Sequence, residues 1–305
     1  MKTFFVFSGQ GAQAPGMGKD LYESSAAAKA IFDQADDILG YKLSEICFNG
    51  PAEKLTETNY CQVAIYTMSC AALEAFKEKH PEVKAVAAAG LSLGEYGALY
   101  AGGVFSFADG LKLLAKRAEL MDIACKNTNG GMASVLGGDA EVIKEVCAAC
   151  DIDVANFNSP GQIVISGEKL KIENAVAMLK EKGMKKVIVL NVAGAFHSRL
   201  MAEAGEGLKS VLADSSLAMP QLPVYHNFTA GVAANETELK ENLAKQVAGS
   251  VQWEGCVRNI VADCGAEMMI EFGPGNVLTG LLRRTLPEIK YANINSSESL
   301  ENFNI

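Results

Sequence analysis

Short apolar runs alternate with amphipathic stretches along this chain, in the order typical of an α/β protein. Thr3–Phe7 and residues 83–89 are apolar runs with the length of a buried strand. Ala26–Leu39 and residues 62–79 place apolar side chains at helical spacing. The pattern therefore predicts a mostly parallel sheet that is covered by helices.

The pattern changes between residues 126 and 194, where the predicted elements follow the order β-α-β-β-α-β. The predicted strands are 132–136, 152–157, 162–166 and 187–192, and the predicted helices are 140–150 and 170–182. This order is typical of ferredoxin-like folds. We therefore expect an α/β-hydrolase-like catalytic domain formed by residues 1–125 and 195–305, with a ferredoxin-like subdomain of residues 126–194 inserted into it.

The other segments complete the large domain. We predict further strands at 224–227 and Met268–Phe272, and further helices at 106–125, 195–212, 239–247, 253–262 and 277–284. The tail beyond Asn295 is polar, and we expect it to fray.

Composition narrows the class of protein. Of the 305 residues, 49% are hydrophobic and 21% are charged, as in ordered globular proteins. The net charge of −9 argues against a general nucleic-acid binder, which needs a basic face. No apolar run is long enough to span a bilayer, and the one at the N-terminus is too short for a signal peptide. We therefore expect a cytoplasmic protein without nucleic-acid or membrane partners.

The eight cysteines do not form a metal-binding pattern. Only Cys147 and Cys150 have the spacing of metal ligands, and no second pair accompanies them. Their segment is amphipathic and predicted to be helical. We therefore expect no metal, and thiols that are buried in a reducing compartment.

A candidate nucleophile follows the second apolar run. Gly90-Leu91-Ser92-Leu93-Gly94 is a G-x-S-x-G pattern between a predicted strand and a predicted helix, which is the context of a nucleophile elbow. Small residues on either side let strand and helix pack closely, so that the serine hydroxyl stays exposed near backbone N–H groups. A glycine-rich turn whose serine caps the helix fits the same pattern, and both interpretations stay open at this point.

A serine nucleophile needs a base, and the chain has three histidines. His80 precedes a proline at a helix end, and His226 lies in a predicted strand, where a structural role is usual. His197 comes directly after the inserted subdomain, where loops gather at the sheet edge. Elimination favours His197, with His226 second; a hydrolase order through Asp214 and His226 is the alternative.

A glycine-rich loop over residues 9–18 follows the first strand. Its G-x-G-x-x-A pattern is a weak dinucleotide fingerprint, but Pro15 and two further glycines make the loop longer than that fingerprint requires. The loop can instead supply backbone N–H groups to an active site. A non-catalytic or dinucleotide-binding protein is thus a further hypothesis, which calorimetry with NAD(P) tests.

Six segments, in order, resemble the malonyl-CoA:acyl carrier protein transacylase family along essentially the whole chain. They are the Gly-Gln-Gly loop at 7–13, the elbow at 90–95, Arg117, the segment 156–162, the histidine motif at 195–198 and the segment 271–275. The resemblance implies malonyl transfer from malonyl-CoA to the phosphopantetheine thiol of acyl carrier protein, for fatty-acid biosynthesis. It implies a ping-pong reaction with no cofactor besides the substrate.

The resemblance also implies roles for single residues. Ser92 is the nucleophile and His197 the base, and the backbone N–H groups of Gln10 and Leu93 form the oxyanion hole. Arg117 binds the malonyl carboxylate. The remaining substrate-site residues are Gln246, near which a main-chain carbonyl orients the histidine, Phe196, which selects malonyl, and Met121 and Met132, which line the pocket.

Three further points concern a departure from the family pattern, an alternative function and the docking of the carrier protein. The family commonly has histidine before the nucleophile, where this chain has Leu91. A serine thioesterase would share the elbow and the base but would not need the carboxylate-binding Arg117. For docking of an acidic carrier protein, the candidate basic residues are Lys185, Lys186, Arg199, Arg283 and Arg284.

Overall fold

A computed structural model describes residues 1–304. Its strands are β1 (Thr3–Phe7), β2 (Ala85–Gly90), β3 (Gly130–Leu136), β4 (Asp153–Ser159), β5 (Gln162–Glu168), β6 (Lys186–Val189), β7 (Val224–Tyr225), β8 (Met268–Phe272) and β9 (Lys290–Ile294). Its helices are α1 (Lys19–Ser24), α2 (Ala26–Leu39), α3 (Leu43–Asn49), α4 (Ala52–Thr56), α5 (Thr58–Lys79), α6 (Gly94–Ala101), α7 (Phe107–Asn127), α8 (Ala140–Ala149), α9 (Lys169–Glu181), α10 (Ala202–Ala213), α11 (Glu236–Ala248), α12 (Trp253–Cys264), α13 (Val277–Thr285) and α14 (Ser297–Glu301).

The large sheet has the strand order β7-β2-β1-β8-β9, and every neighbouring pair is parallel. Side chains of β1 alternate between two apolar layers. Phe5 and Phe7 pack with the core that includes α5, whereas Phe4 and Val6 pack with residues of α12 and α13. Phe7 pairs with Gly90 and with Phe272, so the carboxyl ends of three central strands lie at one edge.

The small sheet has the order β4-β5-β3-β6, and all its pairs are antiparallel. With α8 and α9 this is the ferredoxin-like arrangement that the sequence predicted. Residues such as Val135 and Ile165 pack against the two helices, while Met132 and Val164 line a cavity on the other side. The proposed boundary at residue 126 falls in the last turn of α7.

The C-terminal segment differs from the prediction. The expected fraying beyond Asn295 was wrong, because α14 is capped by Ser296 and buries Leu300, and Ser297 binds the Asp20 carboxylate. The edge strand β9 was missed because its residues alternate poorly between polar and apolar.

The helix predicted at 195–212 begins later in the structure. A 3₁₀ turn at Arg199–Met201 precedes α10, and His197 has a φ of 55°. A left-handed residue cannot continue an α-helix, so the segment before Arg199 is a loop. That loop turns the histidine toward the sheet edge.

The cysteines are all free in the described structure. Six are buried, and Cys150 and Cys264 are half-buried. Over residues 1–304, no helix has the length and apolar character that crossing a membrane requires.

Candidate active site

The Ser92 turn is shaped by close backbone packing at the end of β2. Ser92 has a φ of 54°, a strained conformation for a residue other than glycine. A Cβ at Gly90 would lie 2.0 Å from the Gly94 carbonyl carbon, and one at Gly94 would lie 2.2 Å from the Phe7 carbonyl oxygen. Only glycine fits at these two positions. The strand-turn-helix context of an elbow is therefore present.

His197 is hydrogen-bonded to Ser92. The distance between Ser92 Oγ and His197 Nε2 is 2.8 Å, and His197 Nδ1 lies 2.8 Å from the carbonyl oxygen of Gln246. A carbonyl oxygen only accepts, so Nδ1 carries the proton and Nε2 is free to accept one from the serine.

The imidazole of His197 is neutral at pH 7. Burial lowers its pKa to about 4, and the nearby Arg117 charge acts in the same direction. A neutral imidazole next to a serine hydroxyl is the protonation state that a general base requires.

Arg117 of α7 is a buried cation beside the nucleophile. Its Nη2 donates to Ser92 Oγ at 3.0 Å and to Gln246 Oε1 at 2.9 Å, and its Nη1 donates to Gln62 Oε1 at 2.5 Å. Burial lowers the pKa of the guanidinium. Within residues 1–304 its hydrogen-bond partners are neutral, and no carboxylate pairs with it. A buried guanidinium with no carboxylate in direct contact is a suitable site for a bidentate anionic ligand.

Two backbone N–H groups near the turn are free. In the described chain, neither Gln10 nor Leu93 donates its backbone N–H to a protein group. Gln10 lies in the glycine-rich loop, whose residues Gly11 and Gln13 also line the cavity at Ser92. This position favours the active-site interpretation of the loop over the dinucleotide one.

A cavity of about 390 Å³ opens between the two sheets at Ser92. Its walls come from the glycine-rich loop, α5, α7, the open face of the small sheet and α13. The predicted residues on these walls are Gln10, Ser92, Arg117, Met121, Met132, Phe196 and His197. The volume is in the range of small-molecule sites.

A sequence comparison identifies the family. The model of the acyl transferase domain matches residues 4–301, almost the whole chain. The chain belongs to the acyl transferase family.

Relatives of this acyl transferase match it over nearly its full length. A malonyl CoA-acyl carrier protein transacylase of Bacillus subtilis is 42% identical, over 98% of this chain and 95% of the relative. The crystal structure of an acyl-carrier-protein-S-malonyltransferase from Bartonella henselae is 37% identical, with a TM-score of 0.94, over 99% and 98% of the two chains. A malonyl-transacylase solved in complex with its type II PKS acyl-carrier protein is 33% identical, with a TM-score of 0.94, over 99% and 98%. The predicted family and fold class are confirmed.

Gln246 of this acyl transferase lies behind the cavity and not on its wall. Its carbonyl accepts from His197, and its side chain binds Arg117 and the carbonyl oxygen of Ser92. The prediction grouped it with residues that contact substrate. Its place in the structure is that of a positioning residue.

The other histidines lie outside this constellation. His80 Nε2 is 3.5 Å from the carbonyl oxygen of Leu300, at the C-terminal end of α5. His226 is fully buried, and its Nδ1 lies 2.7 Å from Glu95 Oε1. The hydrolase order would pair His226 with Asp214, but Nδ1 of His226 is already paired with Glu95.

Sequence reasoning missed Gln62, Glu95 and Asn227. Each is a buried polar residue that contacts a predicted site residue or its neighbour from a distant part of the chain. Gln62 gave one usable signal, because an uncharged polar residue stands among apolar neighbours on α5. Glu95 and Asn227 give no such signal, because their contacts form only between segments that the folded chain brings together.

Proposed function

We propose that this acyl transferase moves a malonyl group from malonyl-CoA to the phosphopantetheine thiol of an acyl carrier protein. The observation that carries the proposal is Arg117, a buried guanidinium that is 3.0 Å from the nucleophile and has no carboxylate partner among the described residues. A malonyl thioester supplies that missing carboxylate two carbons from its reacting carbonyl. The names of the relatives, which include a complex with a carrier protein, support the same acceptor.

The first half-reaction begins at Ser92. His197 Nε2 takes the hydroxyl proton as Ser92 Oγ attacks the thioester carbonyl. The carbonyl double bond opens to an oxyanion. When the oxyanion collapses, the carbon–sulfur bond breaks, and the protonated His197 gives its proton to the CoA thiolate. The products are a malonyl-Ser92 ester and free CoA.

We assign stabilisation of the oxyanion to the backbone N–H groups of Gln10 and Leu93. Both groups are free of protein acceptors over residues 1–304 and lie near the turn. A preorganised donor of this kind is typically worth about 3 kcal/mol of transition-state stabilisation.

The second half-reaction reverses the first with a different thiol. His197 takes the proton of the phosphopantetheine thiol, and the sulfur attacks the Ser92 ester. The carbon–oxygen bond then breaks, and Ser92 takes the proton back from His197. Because CoA leaves before the carrier thiol enters, the kinetics are ping-pong. Protein groups carry out every step, so the chemistry needs no further cofactor.

We assign acyl selection to Arg117 and to the apolar wall around it. Arg117 binds the malonyl carboxylate with its two Nη groups, a geometry that lysine cannot provide. Phe196, Met121 and Met132 line the cavity, and Phe196 limits space for a branched α-methyl group. Leu91 adds a further apolar surface.

We assign docking of the acidic carrier protein to Lys185, Lys186, Arg283 and Arg284. Arg284 donates to Gln162 at 2.5 Å, and Gln162 lines the cavity, so this cation lies near the entrance. Arg199, the fifth candidate, is bound to Asp151 and Asp153, which compensate its charge. The free thiols of the described chain fit a reducing compartment, and we place the reaction in the cytoplasm.

Intact-mass spectrometry tests the proposal. The enzyme is incubated with malonyl-CoA or acetyl-CoA, and phosphopantetheinylated carrier protein is then added. We expect a malonyl adduct that is absent in Ser92→Ala and that is discharged onto the carrier thiol. An adduct that is lost to water while the carrier stays unmodified would identify a thioesterase, the alternative with the same elbow and base.

A further inference from the structure

Glu95 is a fully buried carboxylate that lies directly behind the nucleophile and has no part in the mechanism above. It is in the first turn of α6, three residues after Ser92. Its Oε1 accepts from His226 Nδ1 at 2.7 Å. Its Oε2 accepts from the backbone N–H of Asn227 and from Gln246 Nε2, each at 2.8 Å. Two distant segments of the chain, residues 226–227 and Gln246, therefore meet on one carboxylate.

Two acceptors determine which way the Gln246 amide points, because its Nε2 donates to Glu95 Oε2 at 2.8 Å and to the carbonyl oxygen of Ser92 at 3.0 Å. The amide therefore turns its NH₂ group toward Glu95 and the nucleophile turn. The amide oxygen then faces Arg117 Nη2, at 2.9 Å. The reversed amide would place its NH₂ group against the guanidinium, donor against donor. Glu95 thereby helps to give Arg117 an acceptor in the correct place.

A second contact leads from Glu95 to the nucleophile turn. Asn227, whose backbone N–H binds Glu95, accepts the backbone N–H of Ser92 on its Oδ1 at 2.6 Å. Its Nδ2 donates to the carbonyl oxygen of Gly90 at 2.8 Å. The strained turn is thus held at Gly90 and at the N–H of Ser92 by a residue whose backbone binds Glu95.

We propose that Glu95 is a positioning residue for acyl transfer, which aligns Arg117 through the amide of Gln246 and Ser92 through Asn227. The proposal rests on the function proposed above, since malonyl selection depends on where the guanidinium points. A purely structural Glu95 would stabilise the fold without affecting which acyl group reacts.

The test uses two replacements of Glu95 that differ in hydrogen bonding. In Glu95→Gln the new amide oxygen still accepts from Asn227 and Gln246, and its NH₂ group takes the place of Oε1 beside His226. In Glu95→Met the side chain has a similar length but accepts neither bond. Asp36→Asn is the matched control, because Asp36 is a buried carboxylate that accepts two bonds from Ser44 away from the cavity.

Single-turnover acylation of the full chain is measured with malonyl-CoA and with acetyl-CoA, alongside the thermal midpoint. We expect Glu95→Gln to stay within about fivefold of the wild-type rate and to keep the malonyl preference, since the amide of Gln246 keeps its partner. We expect Glu95→Met to lose about 100-fold with malonyl-CoA and most of its malonyl preference, since displaced reacting groups cost this much. Asp36→Asn lowers the midpoint and leaves the preference unchanged.

A folded Glu95→Met that keeps the wild-type ratio of malonyl to acetyl rates would overturn the proposal. If Glu95→Met does not fold, Gln246→Met removes the same amide and keeps the main-chain carbonyl that binds His197. Loss of malonyl preference in Gln246→Met, with preference kept in Glu95→Gln, supports the role of Glu95, and unchanged preference contradicts it. The proposed function is tested by the malonyl adduct of the wild-type enzyme, without any Glu95 variant. Failure of the Glu95 proposal is therefore distinguishable from failure of the proposed function.

Discussion

In the proposed function, Arg117 is the residue on which acyl selection depends most directly. Its described contacts are the oxygens of two amides and of the nucleophile, so it is a buried charge with only neutral partners. A carboxylate ligand offsets the cost of burying this charge, whereas an acetyl group leaves it uncompensated. The guanidinium therefore favours malonyl over acetyl at the level of binding.

We predict that Arg117→Ala lowers the acylation rate with malonyl-CoA by at least about 100-fold, the effect of losing a buried charge-assisted contact. The rate with acetyl-CoA should fall much less, so the preference for malonyl disappears. Rapid-quench measurement of both rates checks the prediction, with Lys116→Ala on the exposed face of α7 as control. Equal losses with both donors would contradict it.

The histidine gives a pH prediction. Because burial and Arg117 hold the pKa of His197 at about 4, the base stays neutral well below pH 6.5. We expect the acylation rate with acetyl-CoA to be constant from pH 7 to about 5 and to fall about tenfold per pH unit below the pKa. In Arg117→Ala the positive neighbour is gone, so the acidic limb should move to higher pH. An acidic limb near pH 6.5 in the wild-type profile would contradict the lowered pKa of His197.

Among elements, the junction of β2 and α6 is the most constrained. Strand, turn and helix fit together only because Gly90 and Gly94 have no side chains. The same junction holds Ser92 in the turn and Glu95 in the first turn of α6. The identity of these glycines is therefore dictated by packing as well as by chemistry.

We predict that Gly94→Ala destabilises the protein by more than about 3 kcal/mol, because the added Cβ meets backbone atoms that cannot move aside. Urea unfolding gives the free energy of unfolding. The control is Gly280→Ala on α13, where a Cβ would contact nothing within 4 Å. That substitution should be neutral or stabilising by up to about 1 kcal/mol, because alanine favours the helix. Comparable losses at the two sites would contradict the packing argument.

Elements with strong local signals were predictable, and those without were not. β1 and β8 have their predicted bounds because each is a short apolar run, and α7 begins one residue after the predicted start at 106, with Ser106 as its cap. β9 lies at an edge and is half-exposed, so its sequence carries little periodicity. α14 has a local signal, the Ser296–Ser299 capping box, which the prediction overlooked, and it is also held by a long-range contact with Asp20.

At the scale of the molecule, the active site is built from both sheets. The large domain supplies Ser92, His197 and Arg117, and the small sheet supplies the wall that faces them. Backbone hydrogen bonds join the small sheet to the large domain, since Val251, between α11 and α12, donates to Ala155 of β4 and accepts from Phe157. The sequence predicted the elbow, the base and the arginine, whose signals are local or come from the family resemblance. It did not predict the buried contacts of Gln62, Glu95 and Asn227, which exist only between segments that folding brings together.

In the proposed function, docking of the carrier protein depends on the surface that carries Lys185, Lys186, Arg283 and Arg284. We predict that the double reversal Lys185→Glu and Arg284→Glu slows transfer to the carrier protein at least about tenfold, mainly at low salt, because complementary charge steers association. Formation of the malonyl-Ser92 ester from malonyl-CoA should change much less. Lys116→Glu, a reversal on α7 outside the proposed surface, is the matched control. If both half-reactions slowed equally, or if neither changed, docking would lie elsewhere.

The amides that surround Arg117 limit how the enzyme can be redesigned for other acyl groups. Replacing the arginine by an apolar residue leaves the oxygens of Gln62 and Gln246 buried without a donor, which opposes an apolar substrate. Gln62 also donates to Met121 Sδ at 3.6 Å, so its amide does not turn round without losing that contact. A variant that loads alkyl chains therefore needs Arg117 exchanged together with both Gln62 and Gln246, whereas an acyl group that ends in an amine meets two acceptors already in place.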